Sequence, residues 1–250
     1  MTSNRFFIKQ SDIDSSSVYI HGDEHHHLSR VARIRPKEKV WLIDEQGTRY
    51  MARVEEITKM RTRLTVLEKE GTTEPGVKII LAQAVIKSKR MNSILQQATE
   101  LGVSMIIPVI TARTVVNIEA KVEKKLERWE KLVREAAKQC KCPFFPSILP
   151  PMPLKSLIEE RQETLKLVLS ENRGKYLRDI LIRSLGSDRA KEKPPASVII
   201  LVGPEGGWTD EEEESILSHG YEAVSLGKQI LRSETAALSG LAMISHFWNQ

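Results

Sequence analysis

The sequence SVIILVGPEGGWTDEE, residues 197–212, decides the fold. Residues 198–202 form an uninterrupted aliphatic run, which is typical of a strand buried on both faces, and a glycine-proline pair ends it. Thr209 and Glu212 then fit a capping box, in which each side chain bonds the other residue's backbone amide at the start of a helix. We therefore predict a strand, a glycine-bearing turn and a helix in direct succession.

A second pattern of the same kind follows downstream. The run 223–226 predicts another strand, Gly227 ends it, and ILRSETAA at 230–237 leads into a final helix predicted over 235–248. That helix is apolar on most of its faces, which indicates burial in a core or between subunits. Ligands of open α/β sheets bind at the carboxyl ends of strands, where backbone amides and helix N-termini converge. The two turns therefore predict one ligand site.

The rest of the chain divides into two kinds of pattern. Up to residue 70, short strands predict a small β-barrel with a helical exception at 23–33. After a turn-rich linker at 71–76, strands alternate with helices, which predicts a mostly parallel sheet covered on both faces. A mobile loop is expected at 184–195. The predicted strands are 5–9, 18–20, 39–43, 49–54 and 63–67, then 78–85, 103–110, 165–169, 197–202 and 223–226, and the helices are 91–101 and 119–141.

Composition narrows the class of protein. The chain has 250 residues, is 40% hydrophobic and carries a net charge of +5, which suits a globular protein with a polyanionic partner. No apolar run reaches the ~20 residues that span a membrane, and the N-terminus has no apolar signal region, so we expect a cytoplasmic protein without a membrane partner. Cys140 and Cys142 form a single C-x-C pair, and His25, His26 and His27 are consecutive, so no metal site is expected.

Three strings resemble the ribosomal RNA small-subunit methyltransferase E family of the SPOUT superfamily. They are LVGPEGGWTDEE at 201–212, LGKQILRSETAAL at 226–238 and ATELGV at 98–103. The resemblance implies an α/β fold, with a PUA-like β-barrel that binds RNA at 1–72 and a SPOUT domain with a parallel sheet and a trefoil knot at 73–250. It also implies S-adenosylmethionine as cofactor, and methylation of N3 of a uridine in 16S ribosomal RNA of the small subunit. A homodimer is implied as well.

The cofactor site follows from the two turns and from the resemblance. Alone, the first turn is equally consistent with a tight connection that needs glycine only for its backbone angles. The resemblance makes both turns, together with the end of the preceding strand, the walls of the cofactor site. The implied cofactor residues are Leu169, Ser170, Glu171, Leu201, Val202, Gly203, Pro204, Glu205, Gly206, Gly207, Leu226, Gly227, Ile230, Leu231, Arg232, Thr235 and Ala236.

Arg232 is the leading catalytic candidate. Methylation of N3 requires loss of the imide proton, and the resulting negative charge spreads over two carbonyl oxygens. A guanidinium is planar and always charged, so it can stabilise this anion or hold a phosphate. Glu234 is either the base that accepts the proton or a ligand that orients Arg232, and Glu205 is the rival base.

Basic residues in small clusters or in family-like strings are the candidate RNA contacts. They are Arg30, Arg33, Lys87, Lys89, Arg90 and Arg113. Salt bridges within the barrel are the alternative for Arg30 and Arg33, and a substrate contact is the alternative for Arg113. The chain departs from the family strings at Ala32, where leucine is usual, at Ala112, where an acid is usual, and at Cys142, where arginine is usual. Two other functions remain open, namely a SPOUT methyltransferase acting on another RNA or on a ribose 2′-hydroxyl, and an RNA-binding assembly factor without catalysis.

Overall fold

The computed structural model describes residues 4–72, 76–115, 122–171, 174–184 and 194–248. The chain forms two compact units, made of the described residues of Met1–Glu74 with Ala137–Phe145, and of Pro75–Ala136 with Pro146–Gln250. Most of the predicted loop at 184–195, part of the predicted linker at 71–76 and the predicted helix start at 119–121 lie outside the described residues. The predicted domain boundaries, 1–72 and 73–250, stay a prediction.

The first unit is built on a six-stranded sheet, in the order β1-β4-β5-β6-β3-β2. Only the β1–β4 pair is parallel. All five predicted strands are present, and the two-residue β2 adds a sixth that is too short to leave a pattern. The elements are β1 (Arg5–Phe7), β2 (Ile13–Asp14), β3 (Ser17–His21), α1 (Gly22–His26), β4 (Lys39–Ile43), β5 (Thr48–Ile57) and β6 (Arg61–Thr72), with a π-helical turn at His27–Val31.

His25 and His27, two of the three consecutive histidines of the first unit, face different partners. Nδ1 of His25 lies 2.8 Å from Oγ1 of Thr62, whereas the ring of His27 meets Phe6 edge to face at 5.6 Å between centroids. Burial and the nearby Lys138 ammonium lower the pKa of His27. Among the described residues, no group of three or more His, Cys, Asp or Glu side chains could hold a metal ion.

The second unit is built on an eight-stranded sheet in the order β10-β8-β7-β13-β11-β14-β12, with β9 paired to β8. Every pair is parallel, as the alternation of strands and helices predicts. The strands are β7 (Lys78–Ala84), β8 (Met105–Ile110), β9 (Ser147–Ile148), β10 (Met152–Pro153), β11 (Leu165–Leu169), β12 (Lys175–Tyr176), β13 (Ser197–Val202) and β14 (Glu222–Ser225). The helices are α2 (Ser88–Glu100), α3 (Val122–Gln139), α4 (Leu154–Glu160), α5 (Leu177–Arg183), α6 (Asp210–Ser218) and α7 (Ser233–Trp248).

The parallel sheet has a hydrophobic core on each face. Ile79 and Leu81 of β7 belong to one buried cluster with α2 and α7, whereas Ile80 and Ala82 belong to a second cluster with α4 and α6. Alternate side chains of a strand point to opposite faces, so an uninterrupted apolar strand requires both cores. The prediction of a sheet covered on both faces is thereby confirmed, while the trefoil knot stays a prediction.

Helices α4 and α5 have no counterpart in the sequence predictions. Each has seven residues, and the residues that cap their N-termini, Pro153 and Tyr176, make no side-chain cap bond. Two turns of helix are too short to show a clear period of 3.6 residues, and capping residues are the other local signal of a helix start. None of the described helices combines the length and the apolarity that a membrane span requires.

Candidate active site

A cavity of about 490 Å³ lies at the carboxyl ends of β11, β13 and β14, where the sequence predicts a ligand site. We call the segment 203–208, which follows β13, the first turn, and the segment 226–232, which follows β14, the second turn. The predicted cofactor residues that line the cavity are Leu169, Ser170, Glu171, Val202, Gly203, Pro204, Glu205, Gly206, Gly207, Leu226, Gly227, Ile230, Leu231, Arg232 and Ala236.

Two predicted cofactor residues do not line this cavity. The side chain of Leu201 is fully buried in the core that packs against α4 and α6, because strand alternation turns it away from the strand end. Thr235 is exposed on the first turn of α7 and is absent from the cavity wall. Backbone contacts from both residues to a ligand in the cavity remain compatible with the structure, but their side chains do not line the cavity.

The first turn depends on its glycines because a tryptophan packs tightly against it. Nε1 of Trp208 donates to the carbonyl of Leu169 at 3.1 Å, which ties the end of the turn to the end of β11. A Cβ on Gly203 would lie 3.1 Å from Cε2 of the same indole. Gly207 has φ +69°, a backbone conformation that is costly for residues with a Cβ. The turn therefore requires glycine for both space and backbone angle.

Arg113 braces the first turn from outside. Its Nη1 donates to the carbonyls of Gly206 at 2.6 Å and Trp208 at 3.0 Å. A charged donor shared by two carbonyls fixes the path of the backbone between them. Arg113, predicted as an RNA contact, thus also has a structural part in the candidate site.

The predicted capping box at the start of α6 is confirmed. The amide of Glu212 donates to Oγ1 of Thr209 at 3.2 Å, and the amide of Thr209 donates to Oε2 of Glu212 at 3.1 Å. Oε1 of Glu212 also accepts the amide of Ala112 at 2.7 Å, so the same carboxylate ties the helix start to the segment after β8.

A buried glutamine that sequence reasoning missed connects three elements of the site. Nε2 of Gln83, a fully buried residue near the end of β7, donates to Oγ of Ser233 at 3.0 Å and to the carbonyl of Ala84 at 3.0 Å. Oγ of Ser233, at the start of α7, donates to the carbonyl of Gly203 at 2.6 Å. One feature of the sequence points to this residue, namely the single amide side chain in the otherwise apolar strand IILAQA. A buried polar group is nearly always hydrogen-bonded, so this side chain requires partners.

The second turn has few bonds of its own. The hydroxyl of Ser225 donates to the carbonyl of Gly227 at 2.9 Å and accepts the amide of Gly227 at 3.3 Å. Ile230 is 73% exposed, an unusual setting for a large aliphatic side chain at a cavity wall. The backbone carbonyl of Arg232 accepts the amide of Ala236 at 2.8 Å, so Arg232 caps α7. Its exposed guanidinium forms no ion pair within the described part of the chain.

Arg90 joins the two candidate bases. Its guanidinium pairs with Glu205 of the first turn, and its Nε lies 3.4 Å from Oε1 of Glu234 on α7. Arg90 and Glu205 line the cavity, whereas Glu234 does not. Oε2 of Glu234 is buried and has no hydrogen-bond partner among the described residues. Arg90, predicted as an RNA contact, is therefore part of the candidate site and orients both carboxylates.

The remaining predicted RNA contacts are exposed. Lys87 and Lys89 lie at the start of α2 in the second unit, and Arg30 and Arg33 lie in the first unit after α1. Arg33 has φ +53°. Eight further residues that line the cavity were not among the predicted site residues, namely Trp208, Asp210, Glu213, Val224, Ser225, Lys228, Gln229 and Ser233. Glu213 is buried and accepts the hydroxyl of Ser170 at 2.5 Å.

Both units match models of known families. Residues 73–245 match the model of an RNA methyltransferase domain, and residues 20–66 match the model of an RNA methyltransferase PUA domain. The first match covers more than half of the chain and includes every residue of the candidate cavity.

Similar proteins cover nearly the whole chain. The ribosomal RNA small subunit methyltransferase E of Bacillus subtilis is 30% identical over 97% of this chain and 96% of its own length, and that of Aquifex aeolicus is 32% identical over 87% and 90%. The crystal structure of the Neisseria gonorrhoeae protein of the same name, bound to S-adenosyl methionine, superposes with a TM-score of 0.83 at 33% identity over 98% of each chain. These matches show that the chain belongs to the ribosomal RNA small subunit methyltransferase E family.

Proposed function

We propose that the protein transfers a methyl group from S-adenosylmethionine to N3 of a uridine in 16S ribosomal RNA of the small ribosomal subunit. One observation carries the proposal, which is the cavity enclosed by two glycine-bearing turns at the carboxyl ends of β13 and β14, the two strands that flank β11 in the parallel sheet. Family membership supports the same reaction, because relatives named for ribosomal RNA methylation match over this cavity.

The cavity residues fit S-adenosylmethionine. Its volume of about 490 Å³ lies within the range of ligand sites, about 300–1,000 Å³. Val202, Leu226 and Leu231 offer apolar walls for a purine, and the glycines of the first turn allow the backbone to approach it. The carboxylates that line the cavity, Glu171, Glu205, Asp210 and Glu213, suit a ligand with a sulfonium and an ammonium. When bound, the cofactor supplies an electrophilic methyl group.

We assign to Arg232 the stabilisation of the uridine anion. The reaction breaks the N3–H bond and passes its proton to a carboxylate, so negative charge develops on the flanking carbonyl oxygens. The N3–CH₃ bond forms as the S–CH₃ bond of the methyl donor breaks, and the sulfur leaves as a neutral thioether. Arg232 lines the cavity, and its charge is not neutralised by an ion pair within the described residues. A preorganised cation at such a place lowers the barrier because the charge that it meets is largest in the transition state.

We assign the proton to Glu205 rather than Glu234. Glu205 lines the cavity, whereas Glu234 lies behind Arg90 and outside the cavity wall. A general base must come within hydrogen-bond reach of the proton that it removes, and this geometric condition favours the carboxylate of the first turn. Arg90 then acts as a positioning residue for both carboxylates.

Exposed cations are proposed to hold the RNA. Arg30, Arg33, Lys87 and Lys89 are all exposed, and contacts between such side chains and phosphates make binding fall as salt concentration rises. Arg90 and Arg113 belong to the candidate site, so their replacement is expected to affect transfer itself rather than RNA affinity alone.

We further propose that the protein works as a homodimer through α7. Ala237, Gly240, Leu241 and Ile244 form the buried face of this helix, whereas Met243 on another face is 37% exposed. An apolar helix face that its own chain leaves partly uncovered is suited to an interface. Light scattering at micromolar concentration is expected to give twice the mass of the chain, and a monomer would refute this part of the proposal.

The central experiment is incubation of the protein with labelled S-adenosylmethionine and small ribosomal subunits that lack the modification, followed by nucleoside mass spectrometry. We expect 3-methyluridine in the 16S RNA. A 2′-O-methylated nucleoside, or label in another RNA alone, would show a different substrate and refute the proposed reaction. Cofactor binding without transfer to any ribosomal RNA would point to a different RNA substrate, and absence of both transfer and cofactor binding would favour an RNA-binding assembly factor.

A further inference from the structure

A second, smaller recess of about 290 Å³ lies beside the first turn, and we call it the side cleft. It is lined by Val85, Ile86, Lys87, Arg113, Val115, Pro204, Glu205 and Gly206. These residues belong to the segments that follow β7, β8 and β13, which are neighbours in the sheet and run parallel. The side cleft therefore opens at the same sheet edge as the candidate cofactor cavity, and the first turn separates the two.

The lining of the side cleft combines apolar walls with a few charged groups. Val85 and Ile86 are 2% and 3% exposed and form its base with the buried Pro204, while Val115 is 82% exposed. Lys87 and Arg113 are cationic, and Glu205 is the carboxylate of the cleft. Apolar walls suit the faces of a flat heterocycle, and the charged groups suit its hydrogen-bonding edge and its phosphate.

Two of these residues border both recesses and also carry charge. Arg113 and Glu205 line the side cleft and the candidate cofactor cavity alike. A group placed in the side cleft against Glu205 is thus adjacent to the cavity proposed for the methyl donor. Transfer between two substrates requires this kind of adjacency, because the reacting atoms must approach to within about 3.5 Å.

We propose that the side cleft holds the uracil base of the target uridine after it leaves the RNA stack, an inference that rests on the proposed function. Uracil presents an N3–H donor between two carbonyl acceptors. Glu205 accepts the N3–H bond, Arg113 donates to a flanking carbonyl, and Lys87 meets the phosphate. Cytosine has an unprotonated N3, which repels a carboxylate, so the same contacts reject cytidine.

Filling the cleft tests the assignment. In Val115→Trp the larger side chain is expected to occupy the mouth of the cleft, and kcat/KM for the small subunit should fall by at least about tenfold. The affinity for S-adenosylmethionine should change by less than about twofold, since Val115 does not line the cofactor cavity. The matched control is Ile182→Trp on α5, where a 54% exposed aliphatic residue lies outside both recesses. Wild-type kinetics in Val115→Trp, or an equal loss in the control, would overturn the proposal.

A second measurement tests binding of the base in the side cleft independently of methyl transfer. In protein with labelled valine and isoleucine methyl groups, millimolar uridine 5′-monophosphate should shift the resonances of Val85, Ile86 and Val115, and cytidine 5′-monophosphate should shift them less. If the wild-type protein transfers no methyl group, the proposed function fails, and these shifts still decide whether the cleft binds a uracil nucleotide. Absence of shifts, or equal shifts with both nucleotides, would refute the base assignment.

Discussion

The two turns that enclose the candidate cavity follow two strands of one sheet, β13 and β14, which flank β11, yet they are held very differently. The first turn is tied to three other segments, by the side chains of Arg113 and Ser233 and by the bond from its own Trp208 to the carbonyl of Leu169. Within the described residues, the second turn has the local bonds of Ser225 and carries the 73% exposed Ile230. The first turn is therefore a preformed wall of the cavity, whereas the conformation of the second turn depends mainly on its own local bonds.

Because of this difference, the two walls of the cavity are expected to have different roles. A preformed wall reduces the conformational entropy that is lost on binding. Substitutions that remove its braces are therefore expected to change folding and cofactor affinity together. A weakly braced wall can carry reactive groups at little structural cost, so substitutions there are expected to change turnover alone. Arg232 at the end of the second turn, exposed and unpaired among the described residues, is the clearest case.

The largest effect is expected from Arg232→Ala. Turnover should fall by about 10²–10³-fold, the usual cost of removing one group that stabilises an oxyanion, while stability changes by less than about 0.5 kcal/mol. Methyl transfer under saturating substrates and urea unfolding measure the two quantities. Arg178→Ala, which removes an exposed arginine of α5, is the matched control. Near-normal turnover in Arg232→Ala would remove the proposed role of the second turn.

Glu205→Gln compared with Glu234→Gln asks whether the first turn or α7 supplies the base. Both carboxylates pair with Arg90, so both variants lose an ion pair, and only Glu205 lines the cavity. We expect kcat to fall by about 10²-fold or more in Glu205→Gln and by clearly less in Glu234→Gln. Methyl transfer under saturating substrates measures both values, and the reverse ranking would assign the proton to Glu234.

A smaller effect, on structure rather than turnover, is expected from Ser233→Ala. The substitution leaves the carbonyl of Gly203 without its hydroxyl donor and Nε2 of Gln83 without one acceptor, which should cost about 1–3 kcal/mol of unfolding free energy. Cofactor affinity should fall as well, because the first turn loses a brace. Urea unfolding and equilibrium binding are the measurements, and Ser239→Ala on the same helix is the control. Unchanged stability and affinity would show that the first turn does not depend on this bond.

Sequence reasoning located the cavity because its signals are local. A strand end, a glycine turn and a capping box occupy adjacent positions, so SVIILVGPEGGWTDEE contains one whole wall, and the parallel sheet follows from alternating patterns. The same holds for the strands Leu165–Leu169 and Ser197–Val202, whose limits are those predicted. When turn residues flank an apolar run on both sides, the first and last residues of the strand are closely predictable.

The parts that sequence reasoning missed depend on contacts between distant positions. Gln83 and Ser233 are 150 residues apart, and Arg90 and Glu205 are 115 apart. No local period or motif relates such residues, so the sequence predicts RNA contacts for Arg90 and Arg113 and does not show that they also hold the first turn and its carboxylate. The absence of the Leu201 side chain from the cavity wall was predictable, because the alternation of side chains along β13 turns it into the core.

The smallest effect is expected from Thr209→Ala. This substitution tests whether the first turn is held by the helix start that follows it or by bonds from distant segments. The substitution removes the side-chain acceptor for the amide of Glu212 and should cost about 1 kcal/mol of unfolding free energy. The bond from Ala112 to Glu212 and the contacts of Arg113 do not involve Thr209, so cofactor affinity should stay close to that of the wild type. Thr209→Ser, which keeps the acceptor, is the control, and urea unfolding with equilibrium cofactor binding gives both values. A large loss of affinity in Thr209→Ala alone would mean that the helix start, rather than the braces from distant segments, keeps the first turn in its binding conformation.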